Sequence, residues 1–181
     1  MATVGLTTVG ANTLNVTRVY YQKLTAPEDM DITSIHVYAD GLFGSGTTTV
    51  IAGLYDEVAS VPENLLVSAT AQAVTDSSPQ WYTLNVTQSI SSGANFWIGV
   101  QQAAGTVNRL QVYYDTGGTS GDSYISASGT TPAATMYDPA NEATARTDIY
   151  SFYVTYTAGG GTNPKGPLTH PLYGPFRGPI S

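Results

Sequence analysis

Only two side chains in this sequence ordinarily exchange protons near neutrality, His36 and His170, and neither has the neighbours that catalysis asks of a histidine. A serine hydrolase needs a base within hydrogen-bond reach of its nucleophile. Gly121-Asp122-Ser123-Tyr124 opens in the Gly-Asp-Ser manner of one lipase class, but the Asp-x-x-His block that would bring the base is missing: Thr33 and Pro167 stand three residues before the two histidines. His36 reads as a half-exposed sheet residue on the face opposite Ile35 and Val37, and His170 as part of an extended C-terminal segment. Acids cluster at Glu28, Asp29 and Asp31 and at Asp56 and Glu57. A glycosidase needs two carboxyls about 5–9.5 Å apart across one bond, and acids at strand ends and turns are the simpler reading. The oxygen-rich loop from Asp115 to Asp122 lacks the acid spacing and terminal Glu of an EF-hand. There is no glycine motif that would cradle a phosphate. Zero cysteines excludes disulfides, thiolate metal sites and a cysteine nucleophile. The expectation is a protein without catalytic residues, metal or cofactor.

Aromatic chemistry remains. Trp81, Trp97 and Tyr113 are the candidate glycan-binding residues, with Tyr20, Tyr21, Tyr38 and Tyr55 in the same class. Their rings are rigid and amphipathic, which suits a sugar face and a protein partner equally. Asn15-Val16-Thr17 and Asn85-Val86-Thr87 fit the glycosylation triplet, which has a use only on a secretory route. The first residues carry neither the basic start nor the apolar core of a secretory signal, so if the protein works outside a cell the expectation is exit by another route.

These groups must be positioned by strands. Over residues 1–158 the chain is a series of short runs rich in Val, Ile, Thr and Tyr, broken by Gly, Pro, Asn, Asp and Ser. The runs predict strands at Val4–Val9, Arg18–Thr25, Ile32–Ala39, Thr48–Tyr55, Leu65–Val74, Gln80–Val86, Asn95–Gln102, Asn108–Tyr114, Tyr124–Ala127 and Asp148–Thr157, with no helix. Side chains two apart share a face. That rule puts Val50 and Leu54, Phe96 and Ile98, Leu110 and Val112, and Phe152 and Val154 in one core. It leaves Ile51, Tyr55, Trp97, Tyr113 and Tyr153 on the opposite faces, where something should cover them or they should be sticky. Ile32 is out of step with Ile35, Val37 and Ala39, which a β-bulge near Ser34 would repair. The fold class is therefore all-β: one antiparallel β-sandwich, jelly-roll-like, over residues 1–158.

Residues 159–181 form a second unit, an extended Gly/Pro-rich strap. Glycines at the hinge and a proline every three or four residues exclude helix and sheet interior and favour a polyproline-like chain. Leu172, Tyr173, Phe176 and Ile180 are its apolar anchors, Lys165 and Arg177 its charges, and these six are the candidate partner-binding residues. The whole chain has net charge −7. The strap holds two of its 6 basic groups and none of its 13 acids, so the body is far more acidic than the chain as a whole. Such a body repels phosphate backbones, which excludes nucleic acid as a partner. No apolar run reaches the ~18 residues of a membrane-spanning helix. The strap either lies on a neighbouring copy or folds back over its own body.

Taken together, Ile32-Thr-Ser-Ile-His-Val-Tyr38, Ala52-Gly-Leu-Tyr-Asp56, Pro62-Glu-Asn-Leu-Leu66, Trp81-Tyr-Thr-Leu84 and Gly93-Ala-Asn-Phe-Trp-Ile-Gly-Val100 form a pattern. It resembles the β-sandwich, carbohydrate-binding-like modules of tailed-phage virion proteins and bacterial surface proteins. The resemblance covers roughly residues 30–115 and is structural, so it implies fold more strongly than activity. With no secretory signal in view, it implies a non-enzymatic virion protein, assembled in the host cytoplasm. A capsid decoration or cement protein is the first form of that reading, and tail or fibre attachment its variant. Its partners would be capsid or tail subunits and further copies of itself. The rival expectation is an adhesin module that recognises host-surface glycans through exposed Trp and Tyr.

Overall fold

The computed structural model describes residues 1–42, 48–74, 78–103, 109–126, 136 and 143–159. Among them the strands are β1 (Ala2–Gly5), β2 (Asn12–Asn15), β3 (Tyr20–Thr25), β4 (Met30–Leu42), β5 (Thr48–Val58), β6 (Val61–Ser68) and β7 (Gln72–Val74). The second half adds β8 (Gln80–Ile90), β9 (Asn95–Gln102), β10 (Arg109–Thr116), β11 (Ser123–Ser126), β12 (Ala143–Arg146), β13 (Asp148–Tyr150) and β14 (Phe152–Ala158). Sheet A runs β1, β14, β4, β10, β13, with β2 beside β10 and β8 beside β4. Sheet B runs β12, β11, β3, β9, β5, β6, with β7 beside β5. Every ladder between these strands is antiparallel.

The connectivity is nested. β1 pairs with β14, β3 with β9, β4 with β8, and β5 with β6. Outermost strands pair first and each next pair lies inside, as when one long hairpin is rolled over itself, and this is the jelly roll. Within each sheet the two arms of the hairpin meet edge to edge, through β14 on β4 and through β9 on β5.

Alternation decides what fills the space between the sheets. Val50, Ala52 and Leu54 of β5, Phe96, Ile98 and Val100 of β9, Leu110 and Val112 of β10, and Phe152 and Val154 of β14 are all 0% exposed and share one core. The bulge expected near Ser34 is present: the β4–β8 register shifts between Ile32 and Ser34. The β14–β4 register shifts at the matching place, between Thr155 and Tyr156. The shift turns Ile32 and Ile35, three apart, to the same core.

Three expected runs end or divide differently, and two further strands are present, each for a local reason. The first strand ends at Gly5 rather than Val9, because Gly5 takes φ +116 and leaves the extended region. The run from Leu65 to Val74 is two strands, β6 and β7, which pair with successive parts of β5. The last run divides at Ser151, where the chain passes from β10 to β4: the Ser151 amide donates to Tyr113 O and its carbonyl accepts from the Tyr38 amide. β2 and β12 were not expected; each has four residues and lies along another strand, β10 or β11.

A second apolar cluster lies on the outer face of sheet B. Tyr21, Tyr55 and Trp97, each 0% exposed, pack there with Val19, Ile51, Ala103 and Met136. Gly53 and Gly99 face each other across β5 and β9, and the missing side chains leave the hollow these rings fill. A Cβ on Gly99 would stand 2.7 Å from Tyr55 Cε2, 3.0 Å from Tyr21 Cε1 and 3.1 Å from Met136 Cε. Both rings are fully buried and cannot swing into solvent, so Gly99→Ala is expected to cost about 1–3 kcal/mol, read by urea denaturation.

Candidate functional site

The outer face of sheet A carries the other aromatic set. In β4 the inward positions Ile35, Val37 and Ala39 are 0% exposed, so Ser34, His36, Tyr38 and Asp40 point outward. Register places His36 opposite Tyr153 of β14, and Tyr38 opposite Trp81 of β8. The Ser151 crossing holds Tyr113 of β10 beside Tyr38. Five rings from four strands thereby form one continuous row.

Its geometry is regular. Tyr113 and Tyr38 meet edge to face at 5.0 Å between centroids, Tyr38 and Trp81 at 5.2 Å, and Trp81 and Tyr153 at 4.9 Å. Tyr153 lies flat on His36 at 4.3 Å with only 4° between the planes. All five residues are half-buried. Aromatic pairs at these separations stabilise one another and the cross-strand contact that holds them.

Polar groups fix the two ends. His36 Nδ1 is 3.1 Å from Thr83 Oγ1, and Nε2 is 2.9 Å from Ser34 Oγ and 2.8 Å from Thr155 Oγ1. Burial lowers its pKa, so it serves here as a neutral ring. At the other end Tyr113 donates to Asp40 Oδ2 at 3.1 Å. Burial pushes the Asp40 carboxyl up, against the hydrogen bond from Tyr113. Burial, the Asp40 charge and the hydrogen bond to it push the Tyr113 hydroxyl up to about 12.

Of the three expected glycan residues, Trp81 and Tyr113 lie in this row. Trp97 does not, and the expectation for it is corrected: it is 0% exposed on the opposite sheet, so no face of its indole is free for a sugar. Tyr124 packs edge to face on it at 5.3 Å, and Lys23 Nζ lies 5.7 Å above the ring. Tyr55 and Tyr21 are equally closed, and Tyr20 is 6% exposed in the main core. The residues expected to bind a partner, Lys165, Leu172, Tyr173, Phe176, Arg177 and Ile180, lie outside the described residues, as does His170. His36, Tyr153 and Asp40 complete the row but were not among the expected site residues. The available signal was that the outward positions of β4, β8, β10 and β14 are aromatic together.

The acidic groups serve local bonds. Asp29 accepts from the Ser92 amide, Asp31 from Ser89 Oγ, and Asp56 from the Asn64 amide and side chain. Burial pushes Glu57 up, but Lys23 at 2.7 Å and Asn95 outweigh it and hold the carboxyl below its ordinary value. Ser123 is fully buried and makes no contact with His36. Among the described residues no group of three His, Asp or Glu is placed to hold a metal ion.

Among the described residues, the jelly roll has one aromatic outer face fully buried, on sheet B, and one half-buried, on sheet A. Compared with protein-family models, curated proteins and solved structures, the chain finds no match in any of the three.

Proposed function

We propose that this chain is a non-enzymatic structural protein of a tailed-bacteriophage particle, a capsid decoration or cement protein that docks on neighbouring subunits through residues 159–181. The observation that carries the reading is that, among the described residues, the two sheets pack on each other and the last ladder runs out before the strap begins. Among the described residues, every buried member of the main core lies between Val16 and Tyr156. β14 sits between β1 and β4, and its ladder with β4 continues to Ala158. The Gly159 amide is then taken by Asp29 O at 2.7 Å. A segment with apolar and basic anchors that follows a sandwich whose described strands already pair with one another suits attachment to a neighbour.

Prolines make such a segment effective. They restrict the free chain, so docking orders fewer degrees of freedom. Leu172, Tyr173, Phe176 and Ile180 fill apolar pockets, and Lys165 and Arg177 pair with acids on a neighbouring capsid subunit or on the acidic body of another copy. The virion-like sandwich pattern over residues 30–115 supports the same class.

Deleting residues 160–181 tests the assignment. The truncated body is expected to melt at nearly the temperature of the full chain and to lose binding to particles that lack the protein. A truncated body that unfolds, or that still joins the particle, removes the attachment role from the strap.

A further inference from the structure

We infer that the free edge of β8 pairs with the same edge of a second copy of this chain, joining sheet A of the two bodies into one continuous sheet. This is a contact between bodies; it goes beyond the virion reading and depends neither on it nor on the strap. β8 lies at the border of sheet A, and among the described residues its one ladder is with β4. β4 has β14 on its other side, so the far edge of β8 faces away from the sheet. A strand edge of this kind offers a row of backbone donors and acceptors to any strand that can lie beside it.

Proteins guard such edges with charge, proline or shortness, and the other border strands here are guarded. β1, β2, β7, β12 and β13 have three or four residues. β1 ends in Gly5 at φ +116, and β12 carries Arg146. β6 is longer but holds Pro62 and Glu63, and its register against β5 shifts twice. β8 has 11 residues, Gln80–Ile90, with no proline, glycine or charged side chain. Its register with β4 shifts beyond Asn85, yet its own alternation is unbroken: Tyr82, Leu84, Val86 and Ile90 are buried, and Thr83, Asn85, Thr87 and Ser89 are exposed.

The absence of charge selects a second copy as the occupant. Two antiparallel copies of one strand are related by a two-fold axis, so residues at equal distances from the axis face each other. A charged strand would meet its own charge, and this strand does not. Full overlap of Gln80–Ile90 centres the axis on Asn85, which then faces its own mate, with Thr83 opposite Thr87 and Trp81 opposite Ser89. Hydroxyl and amide side chains both donate and accept, so such pairs are self-complementary. The nearest charges come from β4 and β6, the strands packed against β8. Asp31 is held by Ser89 Oγ at 2.6 Å, and Ser89 and its mate stand about 26 Å apart along the paired strands, well beyond a screening length of about 8 Å. Asp40 is buried and bonded to Tyr113, and Glu63 is half-buried on β6.

Sedimentation velocity of the full chain between about 1 and 200 µM tests this. A monomer–dimer equilibrium is expected. Because each copy carries net charge −7, the equilibrium shifts toward dimer as salt rises, whereas pairing of Lys165 and Arg177 with another body's acids would weaken. Asn85→Lys and Asn85→Glu, at an exposed position, are each expected to weaken dimerisation about tenfold or more at unchanged melting temperature, and an equal mixture of the two is expected to restore it. Asn85→Cys, the single thiol in that variant, is expected to cross-link through a short bismaleimide, whereas Thr144→Cys on β12 does not. A chain that is monomeric at every concentration overturns the inference. So does a dimer unchanged in Asn85→Lys, which would assign the contact to the strap or to another face.

Discussion

Replacing Trp97 with alanine is expected to cost about 3–5 kcal/mol, whereas the same change at Trp81 costs about 1 kcal/mol. Both are tryptophans on the outward side of a strand, and their difference is one of cover. Trp97 is 0% exposed, between Tyr55 and Lys23 as cross-strand partners and Tyr124 as an edge-to-face neighbour. Its loss leaves an indole-sized hollow that rigid strands on both sides cannot close, and it removes the cation–π contact with Lys23. Trp81 is half-buried, and the ring contacts it loses are those with Tyr38 and Tyr153. Against a typical domain stability of about 5–15 kcal/mol, the first change removes a large share and the second little. Urea denaturation of the two variants decides it. Equal costs, or a tolerated Trp97→Ala, would mean that the sheet B face is not closed.

Leu54→Ala and Ile98→Ala are each expected to cost about 2–5 kcal/mol. Both side chains are 0% exposed, and both point into the space between the sheets. They are also register partners across β5 and β9, so their cavities adjoin. Once one is gone the other has already lost a face of packing, and the double variant is expected to cost less than the sum of the two singles, by about 0.5–3 kcal/mol. Denaturant unfolding of the three variants measures the difference. Additive costs would place the two residues in separate parts of the core.

Period-two patterning carried most of the fold. Asn95–Gln102 has the expected boundaries because alternation of Phe96, Ile98 and Val100 with flanking turn residues leaves little choice. The bulge at Ser34 was legible because Ile32 and Ile35 cannot both face one core without it. β2 and β12 were not legible: Asn12–Asn15 and Ala143–Arg146 are short and have little apolar alternation, and they are strands because β10 and β11 present them with an edge. Pattern also failed to separate Trp97 from Trp81. Alternation says that a side chain leaves the core, but whether another part of the chain covers it depends on the packing of segments distant in sequence, as with Met136 over Tyr21 and Tyr55. The stacking of His36 on Tyr153 is of the same kind, since it needs two strands 117 residues apart to meet in one register.

If the proposed function holds, this module travels with a phage particle, and its position in a density gradient measures that most directly. Particles from a lysate of the producing cells, banded and analysed by quantitative mass spectrometry, are expected to contain the full chain in a fixed ratio to the major capsid protein. That ratio should persist through a second gradient at raised salt, because apolar anchors on the strap are not screened as ion pairs are. Recovery of the chain with soluble protein or cell envelope, absent from the banded particles, would contradict the account.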